Sequence, residues 1–152
     1  MMKKSLILPL LTLIGGIILQ IADFITAFIL VKGTSEWTLE MGTKAFYVRL
    51  IMSVILFVVI GIILRGIYDR KTFIKSTTLL VIYSIVIFAL EQITQYFGTY
   101  SMIINRLYIP VEIFTIITSV LARVSTAESI NWMYVIPSLF APYLFVLFGK
   151  KI

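Results

Sequence analysis

Hydrophobic residues run through this chain in five long blocks separated by short polar connections: Ser5 to Val31, Ala45 to Leu64, Thr77 to Phe97, Met102 to Ala122 and Ile130 to Gly149. About 20 residues, rising about 1.5 Å each, cross the roughly 30 Å hydrocarbon core of a bilayer. Each block therefore predicts one transmembrane helix. The whole predicts an all-α polytopic transmembrane helical bundle of about five spans, forming a single domain over residues 1–152. The longest connection, Lys32 to Lys44, is too short for a soluble domain. The chain opens Met-Met-Lys-Lys, but its first apolar run is about twice the roughly 7–15 residues of a signal peptide and lacks a small-x-small cleavage site. That run is expected to stay in the mature protein. It is longer than the core requires and is expected to tilt, or to bend at Gly15-Gly16.

Basic residues in the short connections set the expected orientation. Lys3 and Lys4 precede the first block, and Arg65, Arg70, Lys71 and Lys75 crowd the second connection, whereas Lys32 and Lys44 in the first are offset by Glu36 and Glu40. The amino terminus and the second connection are thus expected in the cytoplasm, in a multi-pass protein of the cell membrane. With five spans the basic residues divide almost evenly, and Lys150-Lys151 fall outside. A four-span variant, in which Met102 to Ala122 is re-entrant or interfacial and the carboxyl terminus lies inside, improves the bias. The length and apolarity of that block favour five. Trp37, Tyr47, Tyr96, Tyr100, Tyr108, Trp132 and Tyr134 fall near the expected helix ends, as interfacial belts do.

Helical spacing gathers the scattered polar residues onto faces, since positions three or four apart share a side. Thr12, Gly16, Gln20, Asp23 and Ala27 align in the first block, and Ser84, Glu91 and Gln95 in the third. Asn105, Tyr108, Glu112, Thr115 and Ser119 align in the fourth, and Asn131, Tyr134 and Ser138 in the fifth. Most of these suit ordinary helix packing. The ionisable ones carry more information, because a charge at the bilayer centre costs about 2.5–3.5 kcal/mol on insertion scales. Asp23, Arg49, Glu91, Arg106 and Glu112 all fall in the outer half of the expected membrane and form one candidate intramembrane charge cluster. The cluster reads either as an ion-pair network that fixes helix register or as an outward-open cavity whose surplus carboxylate binds a cation or carries a proton. Pro110 lies two residues before Glu112, and Pro137 and Pro142 interrupt the fifth block, so kinks are expected at both. Arg65, Arg70, Lys71 and Lys75 read as a topology anchor or as contacts for anionic lipid headgroups.

Composition agrees with lipid as the solvent. Hydrophobic residues make up 61% of the chain and charged ones 13%, with mean hydropathy +1.08, against about 45–50% and about 25% in soluble domains. The chain has no cysteine or histidine. That removes disulfides, thiolate and histidine catalysis and the usual zinc or haem ligands. Asp69, the second aspartate, lies in a loop, so an intramembrane aspartyl pair is absent, as are aspartate clusters and Gly-rich phosphate loops. No enzyme activity, cofactor or metal is expected. The net charge of +6 is spread over helix ends rather than along a nucleic-acid-binding stripe. The expected partners are the lipid bilayer and another membrane protein or a second copy of the chain, with no nucleic acid.

Asp23-Phe24-Ile25-Thr26, followed by a polar loop and the basic start of a second helix at Lys44 to Arg49, resembles the opening hairpin of some phage holins, which carry Asp-x-x-Thr-Gly. The resemblance covers about a third of the chain, Ala27 stands where the glycine would be, and the last two blocks have no counterpart. Three functions follow in order of expectation: a non-enzymatic accessory subunit, assembly factor or protective partner of other membrane proteins; a small transporter or channel using the charge cluster; and a holin-like permeabiliser.

Overall fold

A computed structural model describes residues 4–99, 102–125 and 132–149. Three long helices come first: α1 (Ile7–Val31, led by a 3-10 turn at Lys4–Leu6), α2 (Leu39–Arg65) and α3 (Arg70–Tyr96). Local chemistry sets their ends. Thr38 Oγ1 caps α2 by accepting from the Met41 N–H at 3.2 Å. Asp69 Oδ1 caps α3 by accepting from the Thr72 N–H at 3.2 Å. The Thr72 hydroxyl, aided by that N–H, holds the Asp69 carboxyl below its ordinary range. Gly98, at φ +67°, closes α3: its N–H bonds to the Gln95 carbonyl and the Thr99 N–H reaches back to Thr94, a Schellman ending that favours glycine.

Each of these helices is long and apolar enough to cross a membrane. Only 28% of the most apolar stretch of α1 and 22% of that of α2 is buried within the protein, so most of their hydrophobic surface faces outward. Phe24, Phe28 and Ile62 are among the exposed side chains. Apolar exposure on this scale marks a surface that something else must cover. α1 runs unbroken through Gly15-Gly16, and both glycines are buried contact points.

Two ends of the bundle are distinguished by what meets there. At the basic end the Tyr68 hydroxyl accepts from the Leu8 N–H at 3.0 Å and donates to the Lys4 carbonyl, while Ser76 Oγ donates to the Ser5 carbonyl at 2.9 Å. The start of α1 is thereby tied to the turn between α2 and α3. Gly149 lies there too, packed against the backbone of Arg70. The α1–α2 connection and the end of α3 lie at the opposite, far end.

The last two hydrophobic blocks break at the prolines where kinks are expected, instead of each forming one spanning helix. Met102 to Ala122 is divided into α4 (Met102–Leu107), a 3-10 turn at Ile109–Val111 and α5 (Glu112–Val124). Pro110 is the physical cause, because it has no N–H and its ring crowds the carbonyl four residues back. The segment doubles back on itself. α4 descends from the far end until the Leu107 carbonyl accepts from the Tyr83 hydroxyl at 2.8 Å, near the middle of α3. α5 then climbs back until Arg123 stacks on Phe46, 4.0 Å from its ring centroid, in the early turns of α2. At the bottom of the dip the Ile109 carbonyl lies against Gly16, so closely that a Cβ there would overlap it.

In place of one fifth helix, α6 (Trp132–Phe140) continues as a 3-10 helix over Ala141–Phe148. The winding changes one residue before Pro142, which cannot supply the next helical donor. Pro137 sits inside α6, where Ser138 Oγ donates to the Val135 carbonyl at 2.7 Å. The segment runs down to the basic end, with the Phe148 ring seated on Gly61, where a Cβ would strike it. Phe57, Phe114, Phe145 and Phe148 form an aromatic core, with Phe57 and Phe145 centroids 4.5 Å apart and Phe114 and Phe145 5.8 Å apart.

These contacts make two stability predictions. Gly16→Ala should lower the melting temperature in detergent by the equivalent of about 1–3 kcal/mol, the usual cost of overpacking. Gly15→Ala, which meets the movable end of Ile60, should cost less, and equal losses would contradict the close approach at Ile109. Ser53 is 2% exposed and its hydroxyl has no partner among the described residues. Because an unsatisfied buried hydroxyl costs about 1–3 kcal/mol, Ser53→Ala should leave stability unchanged or raise it.

Candidate functional site

The doubled-back segment brings Glu112, the first residue of α5, up against Arg49 in α2. Arg49 Nη1 donates to Asp23 Oδ2 at 2.8 Å, and Nη2 donates to Glu112 Oε1 and to Thr115 Oγ1 at 3.1 Å. One planar guanidinium therefore joins α1, α2 and α5 through its fixed fork of donors. The Thr115 hydroxyl is oriented for this by donating to the Glu112 carbonyl at 2.8 Å. Arg49 keeps 29% of its side-chain surface and Glu112 14%, so the triad is partly sheltered.

Arg49 and Glu112 form one wall of a cleft of about 360 Å³ that also exposes Glu91, Asn105 and Tyr108. Thr118, Ser119 and Ser138 add hydroxyls, and Phe46, Ile116, Val135 and Leu139 complete the lining. Thr118 donates to Ser138 at 3.1 Å, which fixes α5 against α6. Among the described residues Glu91 is held by neutral donors: the Tyr108 hydroxyl and, at 3.4 Å, the Gln95 amide. No ion pair to Glu91 occurs among the described residues.

Of the five residues expected to cluster, Asp23, Arg49 and Glu112 are in contact and Glu91 lines the same cleft. Arg106 does not join them. It is exposed and makes no ion pair among the described residues, because the turn at Pro110 carries the face bearing Glu112 away from that of Arg106. Arg65, Arg70, Lys71 and Lys75 are all exposed at the basic end. No cluster of three metal-ligating side chains occurs among the described residues. The stacking of Arg123 on Phe46 escaped the sequence reading, since nothing in the spacing of residues 77 positions apart announces it.

Comparison of the chain with protein-family models, curated proteins and solved structures gives no match, so the chemistry of the cleft has to be argued from its own residues.

The geometry ranks the two arginines. Arg49→Gln removes the partner of two sheltered carboxylates and should cost about 2–4 kcal/mol, near the lower part of the range for broken buried pairs. Arg106→Gln should be nearly neutral. Melting temperatures in the same detergent test this, and equal losses at the two positions would contradict the arrangement.

Proposed function

We propose that the protein is a non-enzymatic integral protein of the cell membrane that binds a positively charged solute in its far-end cleft, as a small transporter or channel component. One observation carries the reading: two carboxylates, Glu91 and Glu112, line the cleft with a single guanidinium, Arg49, which Asp23 also engages from α1. With Arg106 outside the group, an ion-pair network alone leaves negative charge uncompensated. A cleft in which carboxylates outnumber cations favours a cationic guest.

The topology that goes with this reading has four crossings. α1, α2 and α3 supply three. The fourth is α6 with its 3-10 extension, nine residues and eight residues long, which together reach about 30 Å at roughly 1.5 and 2 Å per residue. Met102–Val124 enters and leaves on the far side. Lys3, Lys4, Arg65, Arg70, Lys71, Lys75, Lys150 and Lys151 then belong to the cytoplasmic side, eight basic residues against five, as the positive-inside rule prefers. Broken helices at membrane depth are tolerated where they are buried in protein or line a cavity, and Tyr108 and Glu112, on either side of the turn at Pro110, line the cleft. An accessory or protective partner role for other membrane proteins rests on the same lack of catalytic residue types but gives the cleft no task. In the holin-like reading Asp23 would mark a permeabilising hairpin, yet here it is engaged by Arg49.

Because the chain lacks cysteine, single introduced cysteines test the topology cleanly. A cysteine at Ser35 should label from outside, and one at Thr72 or appended after Ile152 only from inside. External labelling of the appended cysteine would refute four crossings. In proteoliposomes, cation-dependent flux should fall at least tenfold in Glu91→Gln and persist in Arg106→Gln. Absence of any cation-dependent flux or binding would overturn the functional reading.

A further inference from the structure

We infer that the guest of the cleft is an organic ammonium, a primary amine carrying a short hydrocarbon part, with Glu91 as the carboxylate that receives its charge. The inference rests on the cation-binding reading above and adds the ligand's chemistry.

The two acids of the cleft differ in what already holds them. Glu112 shares the Arg49 guanidinium with Asp23, so its charge is met by a cation fixed in the protein. Among the described residues Glu91 accepts only from the Tyr108 hydroxyl and the Gln95 amide. Neutral donors orient a carboxylate but do not balance it, so Glu91 is the position where an incoming cation gains most. Arg49 does not repel such a guest strongly, because Asp23 and Glu112 bracket it and leave the triad with a net charge of −1. Arg123, the other nearby cation, is exposed and engaged with the Phe46 ring.

The lining distinguishes an organic cation from a bare ion. A bare metal cation is selected by a closed cage of about six to eight oxygens at about 2.3–2.6 Å in the case of calcium, and no such convergence of ligating side chains exists among the described residues. The cleft is instead roomy and mixed. Its volume of about 360 Å³ falls at the lower end of the roughly 300–1,000 Å³ typical of small-molecule sites. Ile116, Val135 and Leu139 offer apolar wall, and the aromatic residues Tyr108 and Phe46 also line the cleft. An ammonium group donates up to three hydrogen bonds. Glu91 can take one and the neighbouring Asn105 amide oxygen another, with the hydrocarbon part against the apolar wall. Aromatic faces within about 6 Å of such a group add cation–π attraction.

The test uses the full-length protein in detergent, with melting temperature and calorimetric binding as readouts. The probes are n-butylammonium chloride, n-butanol as its uncharged counterpart, and sodium, potassium and calcium chlorides at matched ionic strength. n-Butylammonium should bind saturably and raise the melting temperature; butanol and the inorganic ions should not. Glu91→Gln should weaken n-butylammonium binding at least tenfold, and Arg106→Gln should leave it unchanged. If Glu91→Gln does not fold, Asn105→Leu, at an exposed cleft position, should produce the same loss. Saturable binding of an inorganic cation without n-butylammonium would overturn the amine assignment and leave the cation-binding reading standing. No response to any cation would overturn both. Unchanged n-butylammonium binding in Glu91→Gln, or in Asn105→Leu where that variant stands in, would remove the site from this cleft.

Discussion

A single guanidinium holds the architecture of the polar region together. Arg49 reaches from α2 to Asp23 on α1 and to Glu112 and Thr115 on α5, and no other ion pair among the described residues joins different helices. Removing a guanidinium from water costs several kcal/mol even after relaxation, so the contact persists only because most of its donors find acceptors. That requirement sets the height of α5. Glu112 has to stand level with Arg49, and a straight helix through residues 102–124 would continue past that level rather than turn back beside it.

The turn at Pro110 meets the requirement, and its backbone groups show how an irregular segment survives in an apolar setting. The Leu107 carbonyl accepts from Tyr83, and the Ile109 carbonyl accepts from the Glu112 N–H while resting on the bare backbone of Gly16. Any side chain at position 16 would push the turn outward and carry Glu112 with it. The small residue on α1, the proline in the turn and the charge on α2 are therefore coupled. The first permits the close approach, the second breaks the helix, and the third holds the returning arm.

Much of this was legible in the sequence, and the failures have a physical pattern. Long apolar blocks correctly announced α1, α2 and α3, because an uninterrupted helix of that length has an unmistakable hydropathy. Asp23, Glu112 and Thr115 meet Arg49, while Gln20 and Gln95, expected on the same faces as Asp23 and Glu91, are exposed. Residues 102–122 read as one helix because hydropathy averages over a window and does not register a reversal of direction at Pro110. Arg106 was assigned to the cluster for the same reason: its depth was counted along an unbroken axis. The 3-10 winding after Phe140 escaped as well, since composition cannot distinguish two helical pitches. Counted with Arg106, two arginines among three acids describe a nearly balanced network, whereas Arg49 alone does not.

Balance is what separates a structural ion pair from a binding site. A buried network has every reason to be neutral, since each uncompensated charge retains its desolvation penalty. Here the ion-paired part, around Arg49, lies where three helices meet, and Glu91, with no ion pair among the described residues, lies across an open cleft on a different helix. Openness lowers the cost of that charge by admitting water, and hydroxyls along α5 and α6 keep the walls polar without supplying a countercharge. In the proposed cation site the Arg49 triad supplies the fixed scaffold and Glu91 the carboxylate that takes the guest's charge. An exchangeable counterion next to a fixed scaffold is the minimum that selective cation binding requires.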